Sequence, residues 1–170
     1  PSKPQTLWPL SAAAWFASAT QDLEPADGST WCEGLPGLVR TLAASLRRGL
    51  FLAVDYGDTA AALLGEGAGL RRFRAHHVDG RWWEDLGTCD LTADVDFSRL
   101  ASLLQAEGLD VLGADSLSRW IREHAPLRPW EEAWQDLPPR ERIRRTENLL
   151  QLTMPGMLGE RFRVLQARRG

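Results

Sequence analysis

One stretch constrains the fold of this chain more than any other. It is the unbroken apolar run Leu50-Phe51-Leu52-Ala53-Val54, which follows a helical pattern and ends in Asp55-Tyr56-Gly57-Asp58. A short continuous apolar run of this kind fits a central parallel strand covered on both faces. Just before it, Leu35, Leu38, Val39, Leu42, Ala43 and Leu46 recur at the spacing of one helix face, which predicts a helix over 35–48. Arg47 and Arg48 then fall in the last turn, where the macrodipole favours cations, and Gly49 suits the position just past the helix. A helix feeding directly into a buried strand with a polar carboxyl end is an α/β unit. In open α/β sheets ligands bind beyond the carboxyl ends of the strands, so position alone makes Asp55 and Tyr56 candidate site residues.

The rest of the chain extends this alternation. Residues 1–30 are irregular, punctuated by Pro1, Pro4, Pro9 and Pro25, with a short helix possible from Ser11 to Ala19. A long connection rich in Gly, Arg, His and Trp runs from Thr59 to Cys89, a length that suits a functional or partner-covering segment. Asp96 reads as the N-cap of a helix from Phe97 to Glu107 that Gly108 ends. Leu109–Gly113 reads as a strand, and Ser116 caps a helix running to about His124. Pro129 and Pro138 sit where two further helices would start, the second turning Ile143, Leu149, Leu150 and Leu152 inward. Arg161–Ala167 alternates like a strand.

Composition excludes several classes. With 170 residues, the chain suits one domain and can bury a core of its own. A net charge of −3 argues against general nucleic-acid binding, which rests on phosphate neutralisation. Lys3 is the only lysine among 20 basic residues, the other 19 being arginine, so an arginine cluster here reflects composition before it reflects an anion site. Cys32 and Cys89 have no metal-binding spacing and read as free thiols. No apolar run is long enough for a membrane helix, and no secretory signal is visible, so the expectation is a bacterial cytoplasmic protein.

Three segments carry a family resemblance. They are Gly49–Gly57, then Asp90-Leu91-Thr92-Ala93-Asp94-Val95-Asp96-Phe97, then Leu152-Thr153-Met154-Pro155-Gly156-Met157-Leu158-Gly159-Glu160-Arg161-Phe162-Arg163-Val164-Leu165. In order and rough spacing the match, from about Trp31 to Arg169, resembles the C-terminal half of the MidA-like family of S-adenosylmethionine-dependent methyltransferases. Mitochondrial members of that family assist assembly of respiratory complex I and methylate a protein arginine. The resemblance implies an α/β fold, the distal half of a class I, Rossmann-like methyltransferase sheet. In that frame Leu50–Asp55 is the fifth strand, Leu109–Gly113 the sixth, and Arg161–Ala167 the seventh, lying antiparallel beside the fifth. Residues 116–152 form a helical insertion between the last two strands, and residues 1–30 continue an upstream half.

The chain also departs from the family. Asp94 stands where many members carry His, and Gly69-Leu70-Arg71 stands where Gly-Thr-Leu is common. No glycine-rich loop follows a first strand. Gly65-Glu66-Gly67-Ala68-Gly69 does not open a helix directly after a strand, as a cofactor loop must. The implied cofactor is therefore S-adenosyl-L-methionine, at a site that is incomplete in this chain.

The resemblance makes Asp55 and Asp94 candidate catalytic carboxylates, and Tyr56, His76, Asp90, Thr92 and Asp96 candidate substrate contacts. Carboxylates can hold a guanidinium by paired bonds. Each residue also has a plainer reading. Asp55 can bond loop amides, Asp96 can cap its helix, and Asp90 and Thr92 can shape a turn. Tyr56, the only tyrosine, can simply pack at a rim, and His76 and His77 can be surface residues. Trp82 and Trp83, if on a strand, would face opposite sides, whereas Trp120, Trp130 and Trp134 suit helix packing. The arginines of 140–145 alternate with Glu141 and Glu147 like a solvated helix face.

The implied partners are a protein substrate and whatever completes the sheet: the missing N-terminal half, a second chain, or another copy paired through an exposed strand edge. Neither nucleic acid nor a membrane span is expected. A second reading of the same features is a non-catalytic interaction module that binds a protein through the Trp-rich segment and the inserted helices.

Overall fold

The computed structural model describes residues 32–65, 71–74, 77–79, 87–125 and 132–170. In chain order these form α1 (Leu35–Ser45), β1 (Gly49–Asp58), α2 (Ala60–Gly65), β2 (Arg71–Arg74), β3 (His77–Asp79), β4 (Asp90–Thr92) and β5 (Val95–Asp96). Next come α3 (Phe97–Ala106), β6 (Asp110–Ser116), α4 (Leu117–His124), α5 (Pro139–Thr153), α6 (Leu158–Arg161) and β7 (Phe162–Arg169). Candidate residues and elements that fall in 1–31, 66–70, 75–76, 80–86 and 126–131, including His76, Trp82, Trp83 and Trp130, lie outside the described residues.

The main sheet has the order β5-β1-β7-β6. β7, the last strand in the chain, lies antiparallel between β1 and β6, the placement the resemblance implies for it. β1 and β6 therefore run in the same direction and bring their carboxyl ends to one edge. On the far side of β1, β5 pairs in parallel through Gly57↔Val95 and Asp58↔Asp96 alone. A second, antiparallel sheet of order β3-β2-β4 occupies the long connection, where the sequence showed no regular element.

The core forms where the periodicities placed it. Val39 and Ala43 of α1 and Phe97, Leu100, Ala101 and Leu104 of α3 pack on the sheet face that carries Leu165, Ala167 and Val111. Phe51 and Ala53 close that face from β1. The helix α3 begins where Asp96 accepts a bond from the Arg99 amide at 3.0 Å, satisfying a helix N–H that would otherwise be free. Ser116 caps α4 in the same way, its hydroxyl facing the Arg119 amide at 3.4 Å. The Arg119 side chain lies between Glu123, at 2.8 Å, and Asp115, at 3.2 Å. Its pKa is raised above the ordinary arginine value, chiefly by the bond to Glu123.

Several expectations are corrected. α1 stops at Ser45, because Leu46 turns to extended backbone while its N–H still closes on the Leu42 carbonyl at 3.1 Å. Arg47 and Arg48 thus form the turn, and Gly49 opens β1. β1 runs from Gly49 through Asp58, three residues beyond the expected end at Asp55. β1 is not covered on both faces: Leu50, Leu52 and Val54 are 58%, 43% and 44% exposed. Ile143 and Leu150, expected to face inward, are also exposed on α5. Arg161 ends α6 instead of beginning the last strand.

Candidate functional site

The site is built at the carboxyl end of β1, where the chain leaves the sheet. The Thr59 amide bonds the Asp58 carboxylate at 2.8 Å, and the Ala62 amide bonds the Thr59 hydroxyl at 3.2 Å, so this short turn starts α2. From α3, the buried Ser98 accepts the Ala60 amide at 3.1 Å and fixes where α2 sits. Gly57 is required here. Its φ is +156°, and a Cβ would overlap the Val95 backbone, so only glycine lets β5 approach β1.

Beside this turn lies a cleft of about 260 Å³ lined by Tyr56, Gly57, Asp58, Leu63, Arg71, Asp94, Glu160 and Arg161. Tyr56 lines it and pairs with Phe162, its opposite in the β1–β7 ladder, with ring centroids 4.0 Å apart. The Arg161 guanidinium carbon stands 5.8 Å from the Tyr56 ring centroid, within cation–π range. Two of the lining carboxylates are neutralised within the chain. Arg71 pairs with Asp94, and Arg163 pairs with Asp58. Glu160 instead accepts a hydrogen bond from the Ser118 hydroxyl. The Arg71 Nε is buried and has no hydrogen-bond partner among the described residues.

Of the candidates read from the sequence, the structure brings Tyr56 and Asp94 together in this cleft. Asp55 lies one residue away but is exposed, its carboxylate accepting the Tyr56 amide at 2.8 Å. Asp90 and Thr92 are strand residues of β4, opposite Phe73 and Arg71 of β2. Asp96 is engaged as the α3 cap. His76 lies outside the described residues.

The cleft adds Asp58, Arg71, Glu160 and Arg161, which had not been singled out. In the fold, two glycines account for three of them, and neither accounts for Arg71. Asp58 directly follows Gly57. Glu160 and Arg161 follow Gly159, where a Cβ would overlap the Leu152 backbone. A glycine that only glycine can fill fixes the direction of its neighbours.

A family model described as "Putative S-adenosyl-L-methionine-dependent methyltransferase" matches residues 4–115. No curated protein matches. A crystal structure of an uncharacterized protein from Burkholderia thailandensis is 25% identical with a TM-score of 0.70, covering 79% of this chain and 36% of that one. A second Burkholderia thailandensis structure, described as a "likely methyl transferase" and bound to S-adenosyl-homocysteine, is also 25% identical with a TM-score of 0.70. That alignment covers 79% of this chain and 35% of the other. The chain thus spans little more than a third of the length of these solved structures. With the family model running over residues 4–115 of 170, the chain belongs to the S-adenosyl-L-methionine-dependent methyltransferase family that this description names.

Proposed function

We propose that this chain is the substrate-side half of a MidA-like, S-adenosyl-L-methionine-dependent methyltransferase acting on a protein arginine. One observation carries the reading: a cleft lined by an aromatic ring and carboxylates, at the carboxyl end of β1, in a chain of this family. A Burkholderia thailandensis neighbour bound to S-adenosyl-homocysteine supports the cofactor.

The described residues fit part of that cofactor. A cleft of about 260 Å³ is smaller than the ~300–1,000 Å³ usual for an enclosed ligand. The connection from β1 to α2 is Thr59 alone, too short to wrap a nucleotide. Tyr56 and the carboxylates can therefore face the reacting end of the molecule, and the adenosine side falls to residues beyond these. When bound, the cofactor supplies an electrophilic methyl group for in-line displacement.

This chain's residues hold and orient the nucleophile, where alignment counts for most. A guanidinium is protonated, with a pKa above ~12, so it must lose a proton to react. Asp94, which pairs with Arg71 in the cleft, and Asp55, one residue before Tyr56 in β1, are the carboxylates we assign to that task. Asp90, Thr92 and His76 fall to the approach of the substrate chain.

The other half of the site belongs to the upstream part of the fold, to a second polypeptide, or to another copy of this chain, joined along the open edge of β1. No described helix is long and apolar enough to cross a membrane, and we place the protein in the bacterial cytoplasm. A second reading is favoured by the exposed Leu50, Leu52, Val54, Ile143 and Leu150, which suit a non-catalytic protein-interaction module.

The test is calorimetric titration of S-adenosylmethionine into the chain, with S-adenosyl-homocysteine added in parallel to protein whose only tyrosine carries ring ¹³C. A complete micromolar site is worth about −8 kcal/mol, and half of that leaves roughly millimolar binding. Millimolar binding that moves the Tyr56 ring signal supports the half-site. Micromolar binding would show a complete site and overturn the half-site division. A Tyr56 signal unmoved by millimolar ligand favours the interaction module.

A further inference from the structure

Glu160 and Arg161 are adjacent on α6, yet they do not pair with each other, and each has an unusual partner. Asp58 and Asp94, the other carboxylates of the cleft, are each bound by an arginine of this chain. Among the described residues, Glu160 accepts only from a hydroxyl, that of Ser118. Ser118 is fully buried, and its hydroxyl lies 3.1 Å from that of Ser116. A neutral, buried pair of hydroxyls therefore holds the Glu160 side chain in direction without cancelling its charge. Arg161, next along, places its guanidinium over the Tyr56 ring instead.

We propose that Glu160 and the Tyr56 ring together receive the cationic side chain of the substrate, and that Arg161 is an internal competitor for this position. An incoming guanidinium would use both features: the ring face for its plane and the carboxylate for its N–H groups. The chain already presents a guanidinium to the ring, which shows that one fits. For the substrate to take that place, Arg161 swings away from Tyr56; exposed at the end of a four-residue helix, it is free to do so. The proposal rests on the methyltransferase reading of the cleft and adds to it the residues that select the substrate. Glu160 touches the substrate, Ser118 positions Glu160, and Arg161 sets how tightly a cation must bind to enter.

Tyr56 is the only tyrosine, so ring-¹³C-tyrosine labelling gives one residue's signal. The probe is Nα-acetyl-arginine amide, with the uncharged Nα-acetyl-citrulline amide as its control. In Arg161→Leu the ring signal of the free protein moves, and the arginine probe binds roughly two- to fivefold tighter, the weight of one exposed cation–π contact. Glu160→Gln keeps an acceptor for Ser118 but removes the charge, and it weakens the probe at least about tenfold. Glu160→Asp, which keeps the charge on a shorter arm, loses less. The citrulline probe leaves the signal in place throughout.

Unchanged binding in Glu160→Gln overturns the proposal, as does an Arg161→Leu protein that binds no tighter. If these effects hold but S-adenosyl-homocysteine never moves the signal, the site binds cations and the methyltransferase reading is what fails. If S-adenosyl-homocysteine moves it and the variants do not alter the arginine probe, only this inference fails.

Discussion

The Arg169 guanidinium donates to the Ala43 carbonyl at 2.5 Å, joining the last residue of the last strand to the end of the first helix, 126 positions away. The same side chain donates to the Leu46 carbonyl at 3.2 Å and to the Glu107 carbonyl. These are C-terminal carbonyls of α1 and α3, groups that a helix leaves without internal partners and that favour a cation. One arginine on β7 thus satisfies the ends of both helices that cover the core. Arg169→Leu should destabilise the fold by about 2–4 kcal/mol, since hydrogen bonds to a charged donor are lost and the carbonyls are left part-buried. Urea unfolding measures it. A loss below about 0.5 kcal/mol would show that water replaces the guanidinium.

Gly57 makes a similar demand at the site. Gly57→Ala forces a Cβ into the Val95 backbone at a φ that alanine avoids, and backbone, unlike a side-chain tip, cannot swing aside. The expected cost is about 3 kcal/mol, or roughly 10 °C in Tm for a domain of this size. The damage should be local to β5 and the start of α3, readable as faster amide exchange there than in β7.

These two positions also show how far the sequence could be read. Helix α1 was legible from apolar periodicity, α3 from a core face and the Asp96 cap together, and α4 from the Ser116 cap. The carboxyl end of β1 was legible because an apolar run meeting Asp-Tyr-Gly has one α/β interpretation. The open face of Leu50, Leu52 and Val54 was not. Their apolarity suggests that they are covered, and cannot state that this face stays exposed. The cleft's charge pairs were hidden for another reason. Asp58 finds Arg163 across 105 positions and Asp94 finds Arg71 across 23, through strand register that no local pattern encodes. Tyr56 was found by position. Glu160 needed the close approach of Gly159 to Leu152, which exists only once α6 is folded back.

The Arg71–Asp94 pair should behave as a unit. Both side chains are mostly covered, at 27% and 19% exposure, so removing one partner strands the other. Asp94→Ala should cost about 1–3 kcal/mol, and adding Arg71→Leu should recover part of that loss. Chemical denaturation of the two single variants and the double variant gives the coupling. Simple additivity would show that the pair contributes nothing to the fold.

Glu141 is the opposite case. Arg144 and Arg145 bond its carboxylate at 2.9 and 3.0 Å and lower its pKa below the ordinary 4.5, the bond to Arg144 acting most. A depressed carboxylate pKa stabilises fully above the unfolded value and is lost as pH falls through the folded one. The helix face is solvated, so solvent screens this contribution. Glu141→Gln should leave Tm at pH 7 within measurement error of the parent. Any difference between the two proteins should shrink as the pH is taken below 4.5. A marked loss of Tm at neutral pH would mean that α5 depends on this cluster more than a solvated pair allows.

The open side of β1 leads to the last prediction. Residues Gly49–Tyr56 have one ladder neighbour among the described residues, β7, because β5 pairs only with Gly57 and Asp58. Among the described residues no strand pairs with their other edge, and Leu50, Leu52 and Val54 are exposed beside it. An exposed edge with an apolar face is a template for pairing with another chain. In isolation this chain should therefore associate as its concentration rises, and light scattering after size exclusion should show a mass above 19.0 kDa. The double variant Leu52→Lys, Val54→Lys places charge on that face. It should run as a monomer with stability within about 0.5 kcal/mol of the parent per site, because neither side chain is in the core. A parent chain that stays monomeric into the millimolar range would mean that the edge is protected by the chain's own residues, and that the sheet needs no second polypeptide to be complete.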